Sequence, residues 1–300
     1  MILTFAAPST KYCAANSKHM HFSHFSLLFV VILLTGCTAD DPAPISAPAD
    51  DSSYVPAGYE LSWNEEFNYE GLPDTNRWSY QTGGFGWTAK ELQNYTDADP
   101  DNVAVRNGSL VITARKERSG RNKYSSTRLV SKNKGEMEYG YIEVRAKMAK
   151  GNGLRSAFWM VGSDVLETGW PMTGEIDLVE HYGKFPTVVS AAVQTKDNYW
   201  SGPGQKGAST QVSDASENYH VYSCLWTKDQ LVFAVDGVNY FTYAKQPGRG
   251  RSGFPFDHPF YLAATLSVGG TRGPNQVVDD TAFPASYEID YVRVYEAPAR

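Results

Sequence analysis

Apolar and polar positions alternate with a period of two over many short stretches of this chain. The runs "YELSWNEEF", "SLVITARKE", "GYIEVRAKM", "GEIDLVEHY", "VVSAAVQT", "HVYSCLWT", "LVFAVDGVNY", "PFYLAATLSV" and "YEIDYVRVYE" all carry the pattern or are rich in β-branched residues. Side chains on a strand point to opposite faces in turn, so each run predicts a half-buried strand. Turn-forming clusters such as "RNGS", "VDGV" and "GKFP" separate them. No long stretch has the 3.6-residue period of a helix, and "TAKELQNY" reads as a short helix or loop. Many short strands at this spacing predict an all-β fold, a sandwich or jelly roll of two antiparallel sheets. No composition shift or internal repeat divides residues 59–297, which read as one domain.

One strand breaks its own pattern. "GEIDLVEHYG" places Glu175, Asp177 and Glu180 within six residues, spaced by Ile176, Leu178 and Val179. Glu175 and Asp177 share a face by parity, whereas Glu180, five residues from Glu175, points the other way on a regular strand. A β-bulge at Leu178-Val179 adds one residue, returns Glu180 to the common face and brings the two glutamates closer; bulges are common beside active sites. Solvated acids on a strand edge are the bland alternative. Carboxylates that do converge repel one another, which folding does not reward and catalysis uses. Two carboxyls about 5 to 5.5 Å apart are what glycoside hydrolysis with retention of configuration needs. In that reading Glu175 is an ionised nucleophile, Glu180 an acid/base raised by the neighbouring charge, and Asp177 the residue that tunes both. Position along the strand does not by itself decide which glutamate takes which role.

Composition narrows the partners. Hydrophobic residues are 42%, charged 20% and aromatic 13%, enough for a large core. Nineteen tyrosines and seven tryptophans suit strands and also provide faces on which sugars stack. The net charge is −6 with no basic stripe, so nucleic acid is not an expected partner. Cys13 and Cys37 fall in or beside the leader; Cys224, in "VYSCLW", is expected to be a small buried hydrophobe, and no zinc pattern is present.

The N-terminus reads as an address. "FSLLFVVILL" has the length of a signal-peptide core and is short for a membrane span. It runs into "LTGC", which resembles a bacterial lipobox and implies a lipid anchor at Cys37. An acidic, Pro/Ala-rich tether follows over residues 38–58. Residues 1–37 are therefore expected to be a leader, with Met20 a candidate start, and the protein to sit on the outer membrane or cell surface; simple secretion is the alternative. A monomer is expected.

The E-x-D-x-x-E run, together with "WNEEFN", "GWTAKELQNYT", "NGSLVITARKE", "GNGLRSAFWMVG" and "FPASYEIDYVRVYE", resembles glycoside hydrolase family 16 in its bulged, laminarinase-like branch, over about 230 residues. The resemblance implies a β-jelly roll with an open glycan cleft on its concave face, a polysaccharide substrate, endo-hydrolysis of β-1,3-glucan, and no cofactor for the chemistry. It gives Glu175 as nucleophile, Glu180 as acid/base and Asp177 as the assisting acid. It also implies Trp87 and Trp159 as cleft aromatics, Asn94 and Arg128 as polar cleft residues, and a structural Ca²⁺ held by Glu66, the Gly108 carbonyl and Asp290. Core packing is the alternative for each tryptophan, and surface acids without a ligand for the metal set.

The chain departs from the pattern where the substrate would lie. Arg155 in "GLRSAFWM" and Arg272 in "TLSVGGTRG" stand where laminarinases usually have tryptophan, Thr265 stands for asparagine and Gln194 for a histidine. Cations in place of stacking platforms favour sulfate or carboxylate groups on the sugar, unless they pair with local acids. A sulfated or modified galactan is thus the second substrate reading, and a surface lipoprotein that binds glycan without cutting it is a third.

Overall fold

A computed structural model describes residues 54–298. The leader, the lipobox at Cys37 and most of the tether lie outside the described residues. Two eight-stranded antiparallel sheets account for almost all the regular structure. The first runs in the order Val238–Ala244, Gln230–Val235, His220–Trp226, Gly140–Lys147, Ala285–Glu296, Ser109–Ala114, Val103–Arg106, with Glu60–Glu65 pairing on Ala285–Glu296. The second runs Lys206–Gln211, Val188–Gln194, Glu175–Tyr182, Leu154–Gly162, Phe260–Val268, Arg128–Val130, Ser79–Tyr80, with Glu136–Met137 also on Phe260–Val268.

The alternation explains how the sheets meet. In Leu154–Gly162 the side chains of Leu154, Phe158 and Met160 enter the main core, and so do Leu262, Ala264, Leu266 and Val268 of the paired strand. From the facing sheet come Ile142, Val144, Tyr222, Trp226, Tyr287, Ile289 and Val292. Cys224 is among them, a free, fully buried thiol, as its apolar neighbours suggested. Each large side chain removed from water here is worth roughly 1.5 to 3 kcal/mol.

The second sheet is buried on its other face as well. Arg155, Ala157, Trp159 and Val161 alternate with the core residues of their strand, and Tyr261, Ala263, Thr265 and Ser267 oppose them across the ladder. Val130, Val161, Tyr261 and Ala263 form a second small apolar cluster there, flanked by Trp159 and Val165. A hollow lies over this face, lined from these two strands by Arg155, Trp159, Val161 and Tyr261. "TAKELQNY" forms a single 3-10 turn, Trp87–Ala89, followed by the strand Gln93–Tyr95, which pairs in parallel with Tyr124–Ser126 beside the hollow.

The two carboxylates proposed for calcium pair with arginines in this structure. Glu66 accepts two 2.8 Å hydrogen bonds from Arg293, and Arg145 donates to Asp290 at 2.6 Å. Gly108 lies in the turn between Val103–Arg106 and Ser109–Ala114. Carboxylates already neutralised by guanidinium groups are poor hard-oxygen ligands. Among the described residues no group of three acidic, histidine or cysteine side chains gathers as a metal site.

Candidate active site

Gly174 precedes the acidic strand with φ +83°, where a Cβ would fall 2.7 Å from Pro255 Cγ; only glycine fits this tight entry. In Glu175–Tyr182 the ladder to Val188–Gln194 pairs Asp177 with Ala192 and Glu180 with Ser190, and the register shifts between them. On the other side Trp159 pairs with Asp177 and Phe158 with Val179, so Leu178 is the extra residue. This is the bulge that the spacing of the acids predicts, at the predicted dipeptide. Leu178 and Val179 both enter the core, while Glu175, Asp177 and Glu180 come to one region of the opposite face. His181, next along, is fully buried; burial lowers it to about 4 against a hydrogen bond to the Pro186 backbone, so it is a neutral histidine.

The hollow over this strand has a volume of about 190 Å³. Trp87, Trp159, Trp170 and Trp200 wall it, with Arg128, Arg155, Arg272, Glu91, Glu175 and Asp177 among the polar lining. Arg128 is stacked between Trp87 and Trp159, its Cζ 4.5 and 4.6 Å from the two ring centroids. Gln194 donates to Asp177 at 2.8 Å and accepts from the Trp200 backbone N–H at 3.0 Å, which fixes its orientation. Of the polar cleft residues expected from sequence, Asn94 and Gln194 do not line the hollow: the Asn94 amide donates to Ser119 at 2.9 Å, and Gln194 reaches the site only through Asp177.

Four further residues of the site were not among the expected ones. The Trp170 indole N–H donates to Glu175 Oε2 at 3.0 Å. Its loop is tied down by Asp164, which accepts from Thr168 at 2.6 Å and from Thr173, and which contacts His258 Nε2 at 3.0 Å. Glu91 is the counter-ion of Arg155 at 3.2 Å and accepts from Gln93 and Tyr95. Trp200 stands over Arg272, and Gln205 accepts from Gln194 at 2.8 Å. Trp170 was visible as a flank of the acidic run; the others come from distant loops and leave no local signal.

The two unexpected arginines are not free cations. Arg155 Nη1 lies 2.5 Å from Glu180 Oε1, and Arg272 Nη2 lies 3.1 Å from Glu180 Oε2 and 3.2 Å from Asp177 Oδ2. Arg272 Nη1 is 4.0 Å from Glu175 Oε1. The site therefore sets four acids, Glu91, Glu175, Asp177 and Glu180, against three cations, Arg128, Arg155 and Arg272, with no excess positive charge to recruit an anionic sugar.

This pairing acts on the three carboxyls unequally. Burial, then the charge of Asp177, pushes Glu175 up to about 8, against the pull of Arg272. Asp177 is also raised, first by burial and then by Glu180. Burial works to raise Glu180 too, but Arg272 and Arg155 outweigh it and hold this carboxyl below the usual range. The three carboxyls titrate as one coupled group, with burial raising Glu175 and Asp177 and the two guanidiniums lowering Glu180.

A glutamate pair with an aspartate between them, on one strand and under a wall of tryptophans, defines a glycosidase of the two-carboxylate kind. The family model of glycosyl hydrolases family 16 matches residues 90–293, and the chain belongs to that family. The beta-glucanase of Rhodothermus marinus is 40% identical over 275 residues, 89% of this chain and 93% of that protein. The X-ray structure of the laminarinase from Rhodothermus marinus matches with a TM-score of 0.77 at 40% identity, covering 79% of this chain and 97% of that one. A keratan-sulfate endo-1,4-beta-galactosidase of Sphingobacterium multivorum is 32% identical over 248 residues, 80% of this chain and 56% of that protein. The fold is accordingly a jelly roll, and the protein a glycosyl hydrolase.

Proposed function

We propose that the protein is a retaining endo-β-glucanase acting on β-1,3-glucan. The observation that carries this is the bulge at Leu178, which gathers Glu175, Asp177 and Glu180 on the face lined by Trp87, Trp159, Trp170 and Trp200. In the first step the Glu175 carboxylate attacks the anomeric carbon while Glu180 gives its proton to the departing glycosidic oxygen. In the second, Glu180 takes a proton from water, the hydroxide adds to the same carbon, and Glu175 leaves as carboxylate. Asp177, held by Gln194, fixes the charge between them. Trp170 holds the nucleophile in place through its N–H. The chemistry uses carboxyl groups alone and needs no cofactor.

The glucan reading draws on the beta-glucanase and laminarinase relatives. The galactan reading draws on the galactosidase relative and on Arg155 and Arg272, but both arginines are spoken for by acids, which favours a neutral sugar. Release of oligosaccharides should be compared on laminarin, mixed-linkage glucan, agarose, porphyran and carrageenan, with the wild type and Glu175→Gln. Cleavage of laminarin by the wild type alone supports the proposal. Cleavage of a sulfated galactan with laminarin untouched overturns the substrate, and retention on glycan gels without any product overturns the reaction.

For the cell-envelope location, the support is the "LTGC" run after an apolar segment and before an acidic tether. Lipidation at Cys37 predicts recovery in the membrane fraction for the wild type and in the soluble fraction for Cys37→Ser.

A further inference from the structure

One wall of the hollow continues into water as a row of flat groups. Trp159 pairs across the ladder with Asp177 of the acidic strand. The Arg128 guanidinium lies between Trp159 and Trp87, and the Phe85 ring lies 4.6 Å from the Trp87 ring, centroid to centroid, tilted by 41°. Trp87 also rests at 5.4 Å on Tyr95, which is buried. The row begins beside the acids and ends in Phe85, which is 72% exposed and outside the lining of the hollow.

Single apolar side chains on a surface are ordinary. Phe85 differs because the turn that carries it is held. Gly83 exchanges two 3.0 Å backbone hydrogen bonds with Tyr95, and its carbonyl accepts from the Trp87 indole N–H at 3.3 Å. The Glu91 N–H closes on the Gly86 carbonyl at 2.8 Å. A Cβ on Gly83 would fall 2.7 Å from Phe85 Cε1, and one on Gly84 would overlap the Asn122 side chain, so the ring packs directly on glycine backbone and the turn is pinned from its other side. Trp87 has φ +45° and Lys90 φ +55°, left-handed values that bulky side chains adopt only where their surroundings over-determine them. Such strain concentrates at ligand clamps. Here the strained turn aims Trp87 into the hollow and leaves Phe85 at its rim.

We propose that Phe85 is an outer sugar-binding platform, a subsite beyond the hollow on which a further ring of the bound glycan stacks. This inference rests on the reading that a polysaccharide lies in the hollow, and is indifferent to which one. At about 190 Å³ the hollow is smaller than the about 300 to 1,000 Å³ usual for a drug-sized ligand, so a polysaccharide leaves it and its outer rings lie along the rim. A sugar ring presents a face of C–H groups, and a flat aromatic ring is the apolar surface that matches it. Phe85 offers no polar atom, so it recognises that face and not the pattern of hydroxyls around it. The platform therefore acts on chain length: it favours substrates long enough to reach it over those that end inside the hollow.

The test measures kcat/KM on 1,3-β-gluco-oligosaccharides of increasing length for the wild type, Phe85→Ala, Phe85→Leu and Phe85→Tyr, with melting temperatures as the check on folding. An aromatic contact is worth about 2- to 10-fold. The ratio of kcat/KM on the longest substrate to that on the shortest is expected to fall by that factor in Phe85→Ala and Phe85→Leu, and to be kept in Phe85→Tyr, which retains the flat face. Phe85→Leu, which keeps the apolar bulk, serves if Phe85→Ala does not fold. An unchanged ratio overturns the platform, and so does an equal loss at every length, the mark of a residue that only supports Trp87. If these oligosaccharides are not cut, the glucan reading fails, and the platform is decided on oligosaccharides from whichever of agarose, porphyran or carrageenan the wild type cuts. Where none is cut, retardation in gels containing each polysaccharide decides it: weaker retention of Phe85→Ala than of the wild type supports the platform, and equal retention, or none, overturns it.

Discussion

The Trp170 indole donates its N–H to Glu175 Oε2 at 3.0 Å, and its ring meets Tyr199 edge to face with centroids 5.5 Å apart. Trp170→Phe removes the donor while retaining an aromatic ring, so it isolates the hydrogen bond. Glu175 is buried, and a hydrogen bond to a charged group is worth about 1.5 to 3 kcal/mol. The bond matters most when Glu175 is the attacking carboxylate, because the neutral acid accepts more weakly. If the whole difference is felt in the transition state, kcat/KM falls about 10- to 150-fold at about 1.4 kcal/mol per decade. The sign for pH follows from the same contact. Losing a donor to the carboxylate disfavours the ionised form, so the Glu175 midpoint, already about 8, moves up and the loss of activity deepens as pH falls. Initial rates on laminarin from pH 5 to 9 read both effects, with Trp170→Tyr as a second ring-preserving variant. A loss smaller than threefold, or an unshifted pH profile, would refute the assignment of this contact.

Gln194→Ala frees Asp177 from its 2.8 Å donor; the Asp177 carboxyl should rise further and kcat should fall about 5- to 20-fold with little change in KM, which steady-state kinetics resolves. Phe158→Ala opens a cavity in the fully buried core behind the bulge and should cost about 3 to 5 kcal/mol in urea unfolding; a cost under 1 kcal/mol would contradict the packing described. Because Glu66 and Asp290 are held by Arg293 and Arg145, chelators should leave the melting temperature unchanged. A rise with millimolar Ca²⁺, as mass action demands of a bound ligand, would refute that pairing.

The bulge was legible in sequence because strand parity is strict: three acids at positions 175, 177 and 180 cannot share a face without one extra residue. Strands with one wet face were equally plain. Leu154–Gly162 was harder, since both its faces are covered and alternation is blurred to a nearly continuous apolar run. Arginine partners were out of reach for a different reason. Arg272 lies 92 residues from Glu180 and Arg155 lies 64 from Glu91, so which cation meets which acid depends on loop placement. That Arg155 and Arg272 pair with local acids was one of the two readings open from sequence; that the partners include Glu180 was not visible there. At the calcium set too, the partners of Glu66 and Asp290, Arg293 and Arg145, were not visible in sequence.

Stereochemistry offers the most direct check on the bulged strand as a two-step catalyst. If Glu175 attacks and Glu180 protonates, ¹H NMR of laminarin hydrolysis in its first minutes should show the β anomer at the new reducing end, with the α anomer arising later by mutarotation. The α anomer appearing first would mean direct attack by water, and Glu175 would then not be the nucleophile.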